Sequence, residues 1–250
     1  MRGALLLALL MPIYFVAAAL ATRFDLVDWR LGFGVLTLVG GFFLVLVTVL
    51  MGLVGLVLCF VVKPRQYWGR ALLALAIPIV GVGGVLGATL RPDGALSGIH
   101  DIVTDPAAPL TFSARVMEAR EAVPGGNPVE VDPRMGRDGR GPSVRDIQRK
   151  VFPDIRPIEL GKQQPEAFAQ ALATARSLGW NVEYSDATTG RIEATVRTFW
   201  YGFTDDIAIQ VMPAKQGARI DLRSVSRVGD ADAGANAARI RKFRDAITSG

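Results

Sequence analysis

The chain has 250 residues, half of them apolar and only 20% charged, with a net charge of +5 at neutral pH. About a quarter of a soluble protein is charged, and here the deficit falls on one end. Residues 1–90 hold only Arg2, Arg23, Asp25, Asp28, Arg30, Lys63, Arg65 and Arg70, whereas residues 91–250 hold 22 basic and 21 acidic side chains. The basic excess therefore sits between apolar runs. That excludes a nucleic-acid partner as the cause of the positive charge, and it excludes a wholly soluble protein. Cys59 is the only cysteine and His100 the only histidine. An intrachain disulfide, a zinc site with several Cys or His ligands and a Cys–His catalytic pair are excluded with them.

Three apolar runs come first, at 3–21, 31–62 and 71–90, each longer than the roughly 18 residues that mark a membrane span. The first has two readings. It is either an uncleaved anchor or a signal peptide ending at Ala19-Leu20-Ala21, and both leave Thr22 across the membrane. The second would make a helix of about 48 Å at 1.5 Å per residue, longer than a ~30 Å hydrocarbon core. Gly40-Gly41 is its only candidate turn and leaves too short a first half, so one long tilted helix is expected. Trp29 at one end and Tyr67-Trp68 beyond the other fit an aromatic belt. Gly81, Gly83, Gly84 and Gly87 suit close helix packing. Lys63, Arg65 and Arg70 crowd the second loop, so the positive-inside rule predicts a multi-pass bacterial inner-membrane protein, with a cytoplasmic N-terminus and residues 91–250 in the periplasm. No ionisable group lies within a run, which favours an anchor bundle over a transporter.

Residues 91–164 are expected to form an extended segment, a mobile loop over 124–142 and a short helix capped by Ser143 and closed by Pro153. From 165 to 250 the pattern sharpens into the core of an α+β domain. Pro165 opens a helix carrying Phe168, Leu172, Ala175 and Leu178 on one face. Val182 and Tyr184 alternate in a strand, and so do Ile192, Ala194 and Val196 after the Thr188-Thr189-Gly190 turn. Ile207, Ile209 and Val211 mark a third strand, and Ile220, Leu222 and Ser224 a fourth. A last helix from about Asp232 carries Asn236, Ile240, Phe243 and Ile247 on one face. The predicted fold is an antiparallel four-stranded meander with one wet face, flanked by two helices on its other face.

Four blocks carry a resemblance: Ile99-His-Asp-Ile-Val-Thr-Asp-Pro at 99–106, Tyr201-Gly-Phe-Thr-Asp-Asp-Ile at 201–207, Arg223-Ser-Val-Ser-Arg-Val-Gly-Asp at 223–230, and Ala235-Asn-Ala-Ala-Arg-Ile-Arg at 235–241. Over about residues 97–248 the chain resembles the domain-of-unknown-function family 1499. Members occur in bacterial envelope proteins, often behind several spans. The resemblance implies domain and location but no chemistry, because the family has no established activity. Some members carry a cysteine and serine early in the domain; this chain has Leu96-Ser97-Gly98 there, so a thiol role has no counterpart. The helix–meander–helix order is also similar to the helix-grip domains of an outer-membrane barrel-assembly lipoprotein, an analogy of fold alone.

The candidate binding residues are Asp205, Asp206, Arg223, Ser224, Ser226, Arg227, Asp230, Asn236 and Arg239. Adjacent carboxylates in a strand point to opposite faces, so Asp205 and Asp206 cannot share one proton or ion unless the backbone turns there. A turn is the plainer reading of the pair. Strand parity puts Ser224 and Ser226 on the core side, Arg223 and Arg227 toward solvent. The arginines either brace Asp205, Asp206 or Asp230, or bind an anionic group near a helix start. Asn236 on an apolar helix face must be hydrogen-bonded and should tie the helix to the preceding loop, while Arg239 could reach Asp205 or Asp206. His100 reads as a surface or turn residue. No catalytic residue, metal or cofactor is indicated. The predicted partners are the lipid bilayer and an envelope protein or anionic envelope ligand. The leading reading is a non-enzymatic membrane protein whose soluble domain binds an envelope component. A small enzyme acting on an envelope lipid or peptidoglycan fragment and a membrane-coupled ligand sensor are the alternatives.

Overall fold

The computed structural model describes residues 2–62, 67–89, 98–135, 140–229 and 232–249. Lys63, Arg65 and Asp230, which carried part of the orientation and site readings, lie outside them. The chain divides into two compact units, Met1–Thr89 with Phe199–Gly202, and Leu90–Thr198 with Phe203–Gly250.

The first unit is built on helix α1 (Arg2–Arg23), a helix running from Arg30 to Val61, and α3 (Trp68–Thr89). The middle helix is continuous through Gly40-Gly41. Its first stretch, Arg30–Gly40, is π-helical and α2 (Gly41–Val61) completes it. Two helices among the described residues, Arg2–Arg23 and Arg30–Val61, are long and apolar enough to cross a membrane. For α3 the described side chains reach only Gly84. Leu6, Ile13, Phe42, Phe43 and Val57 point outward uncovered, a surface suited to lipid rather than water. Of the glycines expected to pack closely, Gly81 has only Met11 Cε at 4.0 Å, and the surroundings of Gly87 lie outside the described residues. A Cβ at Gly41 would sit 2.5 Å from Phe15 Cε1 and one at Gly52 2.8 Å from Leu75 Cδ2, whereas Gly83 and Gly84 have open space around them. Close approach is needed along the long helix, at Gly32 against Thr22 and at Gly41 and Gly52, where bulky residues of α1 and α3 cross it.

The second unit centres on one antiparallel sheet. Its strands are β1 (Asp101–Val103), β2 (Ile158–Leu160), β3 (Asn181–Asp186), β4 (Arg191–Arg197), β5 (Thr204–Ala214) and β6 (Gly217–Ser226). The order is β1-β6-β5-β4-β3, with β2 also paired to β6. The meander β3–β6 is as the alternation predicts, and the two short strands that extend it are an addition. At three residues each they carry too little pattern to be read as strands alone, although β1 falls in the stretch expected to be extended. The helices are α4 (Ala114–Glu121), α5 (Val144–Val151), α6 (Gln164–Ser177) and α7 (Ala235–Ser249). Ser143 caps α5 as expected, its Oγ accepting from the amides of Arg145 and Asp146.

One face of the sheet, with Ile192, Ala194, Ile207, Ile209, Val211, Ile220 and Leu222, packs on α6 and α7. The Trp180 and Phe243 rings stack there at 5.3 Å. The opposite face is not wet, and this overturns the expected layer. Ala208 and Val225 on that face pack with Phe112 and Val116 of the segment containing α4, flanked by Leu110, Met117 and Val129. Helix α4 has almost no apolar periodicity, so nothing local announces a helix lid. Glu193, which reads as a solvent-side residue of β4, is consequently buried and accepts from Ser113 N at 2.8 Å and Ser113 Oγ at 2.5 Å. A bulge between Val182 and Tyr184 breaks the other expected alternation. The extra residue flips the side-chain phase, so Val182 packs on the core while Tyr184 is exposed. At Gly190 (φ +70°) an added Cβ would collide with the Val211 carbonyl, which is why the β3–β4 turn closes on glycine.

Candidate functional site

The residues singled out from sequence converge on β5, β6 and their flanks, but as two layers on opposite faces. Asp205 pairs with Ser226 in register and Asp206 with Val225. The two carboxylates therefore diverge as strand geometry requires, and they lie inside β5 rather than in a turn. Both are buried.

On the α7 face, Asp205 meets Arg239 at 2.5 Å. Ser224 Oγ donates to Asn236 Oδ1 at 2.6 Å, and Arg239 Nη1 donates to Ser224 Oγ at 2.9 Å. Asn236 Nδ2 donates to Ser226 Oγ and to the His100 carbonyl, both at 3.0 Å. The inward serines are as parity predicts, and Asn236 is hydrogen-bonded as burial requires, but its side chain ties α7 to β6 and His100 instead of to the preceding loop. The network joins α7 to β6 and to the start of β1, and every polar atom it buries finds a partner, as a buried polar network must. Asp232 caps α7, accepting from the amides of Gly234 and Asn236 at 2.8 and 2.7 Å. Burial pushes its carboxyl above the ordinary range, those amide bonds oppose the shift, and the nearby Asp205 charge adds to it.

On the other face the expectation for Arg223 fails. It is one of the most completely buried side chains in the chain, because the α4 segment covers the face that parity alone leaves to solvent. Its Nε and Nη2 bind the Asp101 carboxylate at 3.0 and 2.7 Å, and its remaining N–H groups donate to the carbonyls of Leu110 and Glu130, each at 2.7 Å. Arg145 of α5 adds a second guanidinium to Asp101, 2.7 Å from Oδ2. Burial raises the Asp101 carboxyl, but the bonds and charges of Arg223 and then Arg145 outweigh it and hold the group below its ordinary range. Arg227 is also held inward, its Nε and Nη2 donating to Asp206 at 2.9 and 2.7 Å. Arg120 of α4 reaches Asp206 Oδ2 at 2.6 Å and the Asn127 and Ser226 carbonyls at 3.0 and 3.1 Å.

Each of Asp101 and Asp206 is thus the centre of an Arg–Asp–Arg triad, and each triad fastens the α4 segment or α5 to the sheet. Sequence reasoning missed Asp101, Arg120, Arg145 and Gln148. Gln148 closes the outer edge of β1 by accepting from Val103 N at 3.2 Å and donating to Val103 O at 2.6 Å. The one available signal was Arg120 four residues after Val116, one helical turn along the same face, and it counts only once α4 is known to be a helix. Chemically, the Asp101 carboxylate, held by two guanidinium groups, is a weak base, and Arg223, spent on that carboxylate and two carbonyls, has little left for an external anion. Among the described residues no group of three or more His, Cys, Asp or Glu is placed to hold a metal ion.

Residues 101–247, more than half of the chain, match the family model described as protein of unknown function, DUF1499. The chain belongs to this family. The DUF1499 domain therefore takes in every strand of the sheet, both triads and nearly all of α7. No curated protein matches the chain.

Two partly exposed arginines of α7 share a carboxylate partner as well. Arg241 Nε and Nη2 both bind Asp154 at 2.7 Å, and Arg244 lies 3.5 Å away. The Arg241 bonds are the main cause that lowers the Asp154 carboxyl from 3.8 to about 2. A carboxyl with a depressed folded value stabilises fully above 3.8, and that contribution disappears as pH falls through about 2. The pair is well exposed, so screening limits its worth. Asp154→Asn should cost about 0.5–1 kcal/mol at neutral pH, and the difference should vanish in acid. Denaturant midpoints of the two proteins at both pH values test this; a gap that persists below the carboxyl's pKa would contradict it.

Proposed function

We propose that this protein is a non-enzymatic inner-membrane protein of the bacterial envelope. In this reading three helices span the bilayer, the N-terminus is cytoplasmic, and the DUF1499 domain lies in the periplasm, where it binds an envelope component. The observation that carries the reading is the use made of the charged residues. Arg223, Arg227, Arg239, Asp205 and Asp206 are engaged with one another and with Asp101 and Arg120 inside the domain, so they act as framework and leave recognition to the surface. Two long uncovered apolar helices ahead of the domain support membrane attachment, and Arg70 after the second helix supports the orientation.

Topology is tested first. Alkaline phosphatase fused after residue 250 should be active, and a green fluorescent protein exported unfolded through the general secretory route should be dark at the same site. The reverse pattern would refute the periplasmic placement. Binding is tested by cross-linking full-length protein in intact cells and mapping adducts by mass spectrometry. Recurrent adducts between one envelope component and exposed residues of the domain are the expected result. A domain that yields no adduct while its helices cross-link to lipid overturns the binding role.

A further inference from the structure

We propose that the tip of the β4–β5 hairpin is a membrane-interface anchor, with Phe199 and Trp200 seated among the lipid headgroups of the leaflet facing the domain. This rests on the reading of α1 and the Arg30–Val61 helix as membrane spans. The hairpin pairs up to Arg197 and Thr204. Beyond that pair the tip is closed by Thr198 N donating to the Phe203 carbonyl at 2.8 Å and Phe203 N donating to Thr198 Oγ1 at 2.9 Å. Three of the four residues so held are aromatic: Phe199, Trp200 and Tyr201. A tight polar turn needs none of them.

The tip groups with the helices and not with the sheet it interrupts. Within that unit the Tyr201 ring lies 5.0 Å from the Phe33 ring, edge to face, and its hydroxyl is 3.0 Å from Thr37 Oγ1. The Arg23 guanidinium stacks 5.6 Å above the Phe199 ring. Arg23 ends α1, and Phe33 lies in the first turn of the next helix, beside Trp29 and Arg30. This is the depth at which the chain leaves its apolar runs, where amphipathic rings and arginines sit at a bilayer surface. Tyr201 packs inward, and Phe199 keeps most of its surface exposed beneath Arg23. Phe199 is 74% exposed and Trp200 53%, and at the same end of the helices Phe24 and Leu26 are 65% and 76% exposed. A rim of outward aromatic and aliphatic side chains at one end of a span is chemically matched to the boundary between headgroups and acyl chains, and poorly matched to water.

The test uses the full chain with Cys59→Ser, carrying either Trp200→Cys or, in the β3–β4 turn, Ala187→Cys, each labelled with an environment-sensitive fluorophore. The proteins are reconstituted in vesicles of phosphatidylethanolamine and phosphatidylglycerol, with or without lipid bearing a nitroxide just below the headgroup. Flotation after an alkaline carbonate wash comes first: protein that does not float removes the spans, and the anchor with them. In floated protein, position 200 should show blue-shifted emission and roughly twofold or greater quenching relative to position 187. Quenching equal to position 187 overturns the anchor while leaving the spans intact. A blue shift without quenching means the tip is covered by protein, which overturns it as well. Phe199→Cys provides an independent second position should Trp200→Cys disturb the tip.

Discussion

Asp101→Ala is expected to be among the most destabilising single changes in the domain, costing about 3–5 kcal/mol. The carboxylate is shared by Arg223 and Arg145, all three side chains being almost completely buried. Its removal leaves two like charges facing each other out of water. Removing Arg223 instead leaves Asp101 still paired with Arg145, so Arg223→Ala should cost less, though it also strands the Leu110 and Glu130 carbonyls. The order Asp101 worse than Arg223 is the discriminating result, because a ligand-binding arginine would leave stability unchanged or raised on removal. Urea titration of the full-length protein in detergent, read by hydrogen exchange in β5 and β6 peptides, isolates the domain from its helices. Unchanged midpoints in both variants would move anion binding to first place. The pH dependence follows the same group. Its depressed carboxyl stabilises the fold above the ordinary aspartate range, and that contribution is lost as acid protonates it.

Asp206→Ala should behave alike, because Arg120 and Arg227 meet there. Of its two arginines, Arg120 is the more buried, and burial drags its guanidinium below its ordinary value even though Asp206 raises it. We expect Asp206→Ala to cost about 3–5 kcal/mol and the Arg120→Ala/Asp206→Ala double variant to be no worse than the worse single, as direct pairing requires. Additive losses in the same exchange measurement would show that the two side chains act separately. Because α4 is fastened to the sheet through Arg120, exchange in α4 should rise in either single variant before exchange in α6 does.

Much of this molecule is local. An apolar run of 32 residues with no charge has only a helix to become in lipid, since every backbone amide must be bonded within it, and the helix duly runs from Arg30 to Val61. Alternation placed β4, β5 and β6 and sent Ser224 inward, whereas Asp205 and Asp206, read more plainly as a turn, lie in β5 on opposite faces. Four short blocks of residues were enough to indicate the family. These are properties of neighbours in the chain, and neighbours fix backbone period.

What neighbours cannot fix is what lies across the sheet. Arg223 reads as a solvent residue because its own strand says so; its partner Asp101 is 122 residues away. The cover over it comes from α4, an eight-residue helix with Val116 and Arg120 as its buried residues, too sparse a stripe to announce a packing face. Local pattern accounts for the long apolar helices, for α5, α6 and α7, for the β3–β6 meander and, away from the β3 bulge, for which side chains share a face. That the second face is closed and its arginines are internal braces follows from packing across the sheet, because burial and ion pairing depend on segments whose approach no local pattern encodes.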